Sequence, residues 1–416
     1  MRVNVLLSLL LTFAVCGVAA AESPAVPDWD QWRGPQRTGA VPGDSWPASL
    51  EGLVEMWSVD LGKGYPGPIV TESLVFVVET VDRKTVAARA LSREDGAEVW
   101  KTTWGGSGSV PFFAASNGDW VRSTPAWDGK TLYVGDMNEK LLALAGDSGE
   151  IRWTVDFPAL YKTKIPDFGF ASSPLLDGEF LYVQAANSIV KLNATTGKPI
   201  WRSLAGTSKM SESGAFSSPV IETLAGVRQL VVMKRGGLFG VSLEDGTELW
   251  SQPVPNFRGM NILTPVIEGD RIFTSPYKNG AFLYEVTRSG EGFKVDEVWT
   301  HKATGYMSTP VEIDGFVYMH LSNGRLSCLE IATGEERWRT ENLGKYWSMA
   351  WQGDKILALD SGGELLLVRA NPEGFELLDR KSATSREAWA HLAVRGNEVF
   401  VRDLTSIRAF RWSVVD

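Results

Sequence analysis

The sequence predicts an all-β protein, an eight-bladed β-propeller of four-stranded antiparallel blades whose N-terminal strand closes the last blade. Three observations carry this reading. A short apolar strand, a polar turn with a glycine, and a tryptophan four residues after that glycine recur at a spacing of about 46 residues, and a fixed period of this length marks a propeller or a solenoid. A proline preceded by small, often hydroxylated residues recurs ahead of most units. The last unit stops after three strands, while a strand with the same tryptophan stands near the N-terminus.

In chain order, residues 1–21 read as a secretory signal peptide. Arg2 supplies the positive start, Val5 to Val18 is largely apolar, and Ala19-Ala20-Ala21 forms a small-residue cleavage site. The apolar run is too short for a good membrane span, and Phe13-Ala14-Val15 ahead of Cys16 is a poor lipoprotein signal. The mature chain is therefore expected to be periplasmic or secreted, without a transmembrane anchor. It would keep one cysteine, Cys328, and hence no internal disulfide. Residues 22–50 form a Pro/Gly-rich extension. Its Trp29, Trp32 and Arg33 are too bulky for a simple linker, so it should pack along the propeller, with Arg33 against an aromatic face; docking of a partner is the alternative role.

The propeller is assigned to residues 51–416. First strands begin at Pro68, Pro125, Pro174, Pro219, Pro265 and Pro310, with Met349 and Leu392 in the same place in the last two units. Proline is tolerated at a strand start, where its missing N–H costs little. Turn pairs such as Asp128-Gly129, Asp177-Gly178 and Asp314-Gly315 then reverse the chain into a second strand. The third strand enters the recurrent motif, seen in Ala90 to Trp100, Ala143 to Trp153, Lys191 to Trp201, Gly240 to Trp250 and Cys328 to Trp338. Fourth strands carry Trp100, Trp153, Trp201, Trp250, Trp299 and Trp338, and the seventh has Leu377-Leu378 instead. The missing eighth is supplied by Val54 to Val59, with Trp57. These tryptophans read as inter-blade anchors, since an indole buries roughly 150–250 Å².

Composition narrows the function. A formal net charge of -9 and the lack of a long Lys/Arg run give no electrostatic reason to bind nucleic acid. The three histidines, His301, His320 and His391, lie on different blades without metal-ligand spacing. Glu94-Asp95 and Glu244-Asp245 precede motif glycines, where turn capping is the default role.

The segment Ala/Cys-Leu-x-x-x-(Thr/Asp/Ser)-Gly-x-x-x-Trp resembles the tryptophan-docking motif of pyrroloquinoline-quinone (PQQ) type propellers. Asp28-Trp29-Asp30-Gln31-Trp32-Arg33-Gly34-Pro35, with Arg37 and Gly39, resembles the N-terminal signature of their exported bacterial members. That superfamily includes quinone-dependent dehydrogenases and the non-enzymatic BamB-like propellers of outer-membrane assembly. The resemblance implies that each indole stacks on a glycine peptide of the next motif. For the enzymes it implies PQQ with Ca²⁺ held by Glu, Asn and Asp, an Asp base, and often a pair of adjacent cysteines; Cys328 stands alone. A fold does not name an activity.

No cofactor is expected, and a binding module is favoured over an enzyme. The segments joining each fourth strand to the next first strand carry Phe112, Phe113, Trp120, Arg122, Phe170, Phe216, Arg258, Tyr306, Tyr346, Trp347 and Trp389. Propeller geometry brings these to one face around the channel, where aromatics and arginines suit recognition of a partner. The expected partner is an envelope protein or peptide bound by a monomer; a PQQ-dependent alcohol or sugar dehydrogenase and a carbohydrate-binding propeller are the alternatives. Deleting residues 52–61 should abolish cooperative folding, read as loss of the main thermal melting transition; a truncated chain that melts as the intact one does would refute closure by the N-terminal strand.

Overall fold

The structure, a computed structural model, describes residues 26–43, 45–206 and 213–413. The segment read as a signal peptide, with Cys16, lies outside the described residues. Eight four-stranded antiparallel sheets form the ring. Blades 1 to 7 comprise residues 69–105, 126–156, 175–203, 220–253, 266–301, 311–342 and 348–382. Blade 8 combines Ala393–Arg395, Glu398–Arg402 and Ser406–Trp412 with Leu53–Asp60 as its outer strand. Leu53 pairs with Trp412 and Asp60 with Ser406, so the N-terminal strand lies along the whole of the C-terminal one. No blade is left open at the seam, which removes the edge that would otherwise recruit other strands.

The middle strands of the blades are largely buried against their neighbours. A β-bulge recurs in the outer pair of strands: Ala90 faces Trp100, but Leu91 faces Glu98, leaving Val99 as the extra residue. The same shift follows Ala143, Lys191, Gly240, Leu283, Cys328 and Leu367. A bulge bends its strand and re-aims the neighbouring side chain. In six of the seven blades it lies beside the fourth-strand indole; in blade 7 it lies beside Leu377-Leu378.

Most of the indoles dock as the resemblance implies. The indole N–H of Trp57 donates to Arg93 O at 2.9 Å, Trp100 to Gly146 O at 2.8 Å, Trp153 to Ala194 O at 3.1 Å, Trp201 to Leu243 O at 3.4 Å and Trp299 to Ile331 O at 2.9 Å. Their rings lie on Gly96, Gly149, Gly197, Gly246 and Gly334 of the next blade. Trp250 and Trp338 require correction. The outer hairpin of blade 5 runs on through Ala281–Ser289 and Gly292–His301 and has no motif turn, so Trp250 packs on its apolar side chains and bonds Gln229 Oε1 of its own blade at 2.6 Å. In blade 7 the motif turn carries Asn371 and Phe375; Trp338 donates to Asn371 O at 2.8 Å and packs against the Phe375 ring.

A second seam runs near the axis. In six blades a Ser or Thr at the start of the inner strand accepts, through its hydroxyl oxygen, a backbone N–H of the neighbouring blade. Gly67 N donates to Thr124 Oγ1 (2.9 Å), Thr124 N to Ser173 Oγ (3.1 Å), Ser173 N to Ser218 Oγ (3.0 Å), Ser218 N to Thr264 Oγ1 (3.1 Å) and Thr264 N to Thr309 Oγ1 (3.3 Å). Leu392 N donates to Ser348 Oγ at 2.8 Å, joining blades 7 and 8. The recurrent Ser/Thr-Pro is thus an inter-blade clasp: proline starts the strand and the preceding hydroxyl satisfies a backbone N–H that no strand pairs.

The N-terminal extension crosses the channel instead of lying along the outside. Trp29 exchanges both backbone bonds with Val70 of blade 1, and Gly39 and Val41 bond Trp351 of blade 7. Between them, residues 31–39 coil tightly, with Arg33 and Arg37 at φ 63° and 58°. Gly34 permits the coil, because a Cβ there would stand 2.9 Å from the Trp29 ring. Arg33 Nη2 donates to Thr38 O (2.9 Å) and to Pro310 O of blade 6 (2.7 Å). Arg37 Nη1 donates to Pro174 O of blade 3 at 2.8 Å. The guanidinium of Arg33 does face an aromatic ring, 5.6 Å from that of Trp32, but inside the channel.

The outer seam makes a discriminating prediction. Gly149 and Gly290 both have positive φ, 72° and 60°, but a Cβ at Gly149 would meet the Trp100 ring at 2.5 Å whereas one at Gly290 meets open space. Gly149→Ala should therefore lower stability in urea by at least about 1 kcal/mol more than Gly290→Ala, the backbone cost of roughly 1–2 kcal/mol being shared. Equal effects would show that indole contact contributes little.

Candidate functional site: the mouth of the channel

The connections between blades converge on one face and form a funnel over the axis. Its upper chamber has a volume of about 680 Å³ and is walled by Phe113, Phe168, Phe216, Phe257, Met260, Ile262, Met307, Tyr306 and Trp389, with Asn117, Arg122, Arg235 and Arg258. A lower chamber of about 170 Å³ continues down the axis, sharing Arg122, Phe216, Ile262, Met307 and Trp389. Its wall is the hydroxyl girdle of Thr124, Ser173, Ser218, Thr264, Thr309 and Ser348, and Trp32 and His391 also line it. On the far side of the plug, Arg33 and Arg37 border a separate cavity of about 140 Å³ that holds Glu222 and Glu312.

An aromatic arc lines the mouth. Ring centroids follow one another from Trp120 to Tyr65 (5.6 Å), Trp389 (5.1 Å), Tyr346 (5.1 Å), Tyr306 (5.8 Å), Tyr277 (4.3 Å) and Phe257 (6.1 Å). Lys63 caps the Trp120 ring at 4.8 Å, and Arg122 lies 5.4 Å from the Tyr65 ring. Beside the Tyr65 end of the arc, Phe112 and Phe113 ride on a short 3-10 helix, Phe112–Asn117, whose last carbonyl accepts from the Tyr65 hydroxyl; they are 92% and 58% exposed. Side chains of this kind bury large area on docking at little entropic cost.

The structure therefore brings Phe113, Arg122, Phe216, Arg258, Tyr306, Tyr346 and Trp389 to the funnel, with Phe112 and Trp120 at its rim. Phe170 and Trp347 are corrections. Phe170 is buried against Phe157 and over Gly135, because the loop carrying it folds under the short helix Phe157–Tyr161. Trp347 lines the lower chamber only in part: it is buried, stacks on His320 at 5.0 Å and donates to Leu343 O. Sequence reasoning missed Tyr65, Arg235 and Tyr277. Arg235 and Tyr277 sit between the second and third strands of their blades, a connection that reaches the same face; Tyr65 lies between the N-terminal strand and blade 1. The signal was present in Lys234-Arg235-Gly236-Gly237, a charged turn among otherwise apolar strands.

Burial sets the electrostatics of the axis. Arg33 and Arg37 are held down to about 9 by desolvation, and among the described residues neither meets a carboxylate at ion-pair distance. His391 is pushed down to about 3, first by burial and then by Arg33, and its Nδ1 lies 2.9 Å from Leu392 O. His320 falls to about 4 by burial. Among the described residues no three His, Cys, Asp or Glu side chains form a metal-holding group, and no carboxylate lines either chamber of the funnel. Among the described residues the funnel thus lacks the acidic donor set that the resemblance implies for the enzymes' Ca²⁺.

Comparisons with known proteins place the chain. The family described as outer membrane protein assembly factor BamB matches residues 82–340, more than half of its length. The chain belongs to that family. A BamB of Yersinia pestis is 24% identical over 302 residues, covering 65% of this chain and 69% of that protein. The BamB crystal structure from Moraxella catarrhalis superposes with a TM-score of 0.61 at 14% identity, over 86% of this chain and 99% of that one. A quinohemoprotein alcohol dehydrogenase from Pseudomonas putida superposes with a TM-score of 0.67, also at 14% identity, over 92% and 80%. At such identity these structures share the fold. No helix among the described residues is long and apolar enough to cross a membrane.

Buried His320 and half-buried His391, on the wall of the lower chamber, give the BamB-type chain an acid-sensitive limb. An unfolded histidine takes up its proton near pH 6.5, whereas His391 and His320 resist until about 3 and 4. Their contribution is complete above pH 6.5 and declines as pH falls through that window, at about 1.4 kcal/mol per pH unit for each group. Urea titrations at pH 7 and pH 5 should therefore show a smaller acid loss for His391→Asn than for the wild type; an identical loss would contradict a His391 that stays neutral in the folded chain.

Proposed function

We propose that this chain is a non-catalytic scaffold of the bacterial cell envelope, exported to the periplasm, that holds another envelope protein or peptide segment on the funnel face. Membership of the BamB family supports the class of role. The observation that carries the reading is the mouth itself: exposed phenylalanines, a continuous aromatic arc and arginines gathered from separate connections onto one face of a rigid ring. Isolated exposed apolar residues are ordinary, but a gathered aromatic patch with a polar rim marks an interaction surface. The opposite end of the channel is filled by the chain's own extension, which leaves the funnel as the concave face.

Site-specific photo-crosslinking in native envelopes tests this. A crosslinker at Phe113 or Phe257 should trap one discrete partner, and the same group at Ile151, exposed on an outer strand, should not. Phe113→Asp with Phe257→Asp should reduce copurification of that partner by at least about tenfold, as expected when central aromatic anchors are lost. Crosslinks from Ile151 to the same partner, or unchanged copurification, would defeat the proposed face.

A further inference from the structure

We propose that the axial funnel also binds a small amphipathic carboxylate, taken head-first, with its anionic head in the hydroxyl girdle and its apolar body in the upper chamber. The girdle carries the first half of the argument. Thr124, Ser173, Ser218, Thr264, Thr309 and Ser348 all line the lower chamber. Each of their oxygens accepts a backbone N–H at 2.8–3.3 Å. Among the described residues none of these hydroxyls donates in return. A hydroxyl has one hydrogen to give, so the seam that fixes the oxygens leaves a ring of O–H donors for whatever stands on the axis. That arrangement complements an oxyanion.

The charge pattern agrees. Arg122 lines both chambers, and its Nε is buried without a partner. Arg33 and Arg37 each lie 5.6 Å from the Trp32 ring that helps line the lower chamber. The chain has 50 Asp and Glu and a formal net charge of -9, yet among the described residues no acid lines either chamber. Hydrogen bonds to an ionised acceptor are markedly stronger than neutral ones.

The body site follows from size and surface. The upper chamber, at about 680 Å³, falls within the range typical of small-molecule sites. Phenylalanine, methionine and isoleucine side chains dominate its wall. An inorganic anion would leave that chamber unfilled, and a neutral hydrocarbon would leave the donors unmet. A single carboxylate on an apolar chain satisfies both, and the shared wall residues make the two chambers one continuous site. The occupant is a small molecule and not the docked protein, so this inference stands apart from the scaffold reading.

Calorimetry and intrinsic tryptophan fluorescence on the full mature chain test it, with dodecanoate below its micelle concentration, dodecanol as the body without the charge, and acetate as the head without the body. Dodecanoate should bind once per chain, at least about tenfold tighter than either control, and perturb tryptophan emission. Arg122→Gln should weaken dodecanoate by about tenfold and leave dodecanol unchanged, while Phe257→Ala should weaken both; melting curves establish that the variants fold. The double change Ser218→Ala with Thr264→Val removes donors but also two clasps, so Arg122→Gln remains the deciding variant. No dodecanoate binding, equal binding of dodecanol, or indifference of dodecanoate to Arg122→Gln would overturn the proposal.

Discussion

Everything in this molecule depends on the seam between adjacent blades. A four-stranded blade is too thin to bury both faces alone; it becomes stable only when its neighbours cover it. The chain solves this at two radii. Far from the axis an indole crosses to the next blade, commonly over a glycine with its N–H on a carbonyl. Near the axis a Ser or Thr hydroxyl takes the N–H that the inner strand cannot pair. One contact is mainly area and the other mainly hydrogen bonding, so each compensates for what the other lacks. The same two contacts recur around most of the ring, and the N-terminal strand closes it with Trp57 docked on blade 1. Arg93 of blade 1 adds an ion pair to Glu398 of blade 8, at 2.5 Å, across that closure.

The departures from the repeat are informative because they fall where packing changes. Blade 5 extends its outer hairpin and loses the motif turn, so Trp250 turns to its own Gln229. Blade 7 replaces the outer tryptophan with Leu377-Leu378, and the N-terminal extension packs at this part of the ring. There Ser49 Oγ and Leu50 N donate to Asp379, and Trp46 stacks on Trp412 at 5.8 Å. The extension is therefore part of the seam as well as a plug. It reinforces the ring beside the one blade whose outer strand lacks an indole.

The fold was legible because its signals are local and repeated. Gly96 with Trp100 and Ser123-Thr124-Pro125 each occupy a few adjacent residues, and recurrence multiplies a weak cue into a firm one. Even the bulge was implicit in the constant spacing from glycine to tryptophan, although nothing in one unit alone gives its meaning. The site was legible only in part. Phe170 and Trp347 look like Phe216 and Trp389 in sequence, and what separates them is how their loops fold, with Phe170 on Phe157 and Trp347 on His320, contacts that no local pattern announces. Arg33 and Arg37 were similarly hidden. Their partners are the carbonyls of Pro310 and Pro174, and no local pattern links residues that far apart.

Those carbonyls explain why the axis of an acidic protein is cationic. Where inner strands begin around a channel, some backbone oxygens face inward without a partner strand, and a buried unpaired carbonyl is costly. Arginine is suited to the position, since its planar head offers five donors from one side chain. Arg33 and Arg37 meet Thr38, Pro310, Ser173 and Pro174; Arg235 meets Gly259, Ser213 and Arg258; Arg402 meets Pro66, Val78 and Gly62. Satisfying oxygens in this way does not neutralise the charge, because a carbonyl carries only a partial negative charge; Glu79 and Asp403 near Arg402 and Asp30 near Arg37 offset part of it through space. The excess lies around the axis and inner walls, beneath an apolar mouth and beside a ring of hydroxyl donors. Net charge describes the outer surface of this propeller, while the field inside the channel is set by the geometry of its inner strands.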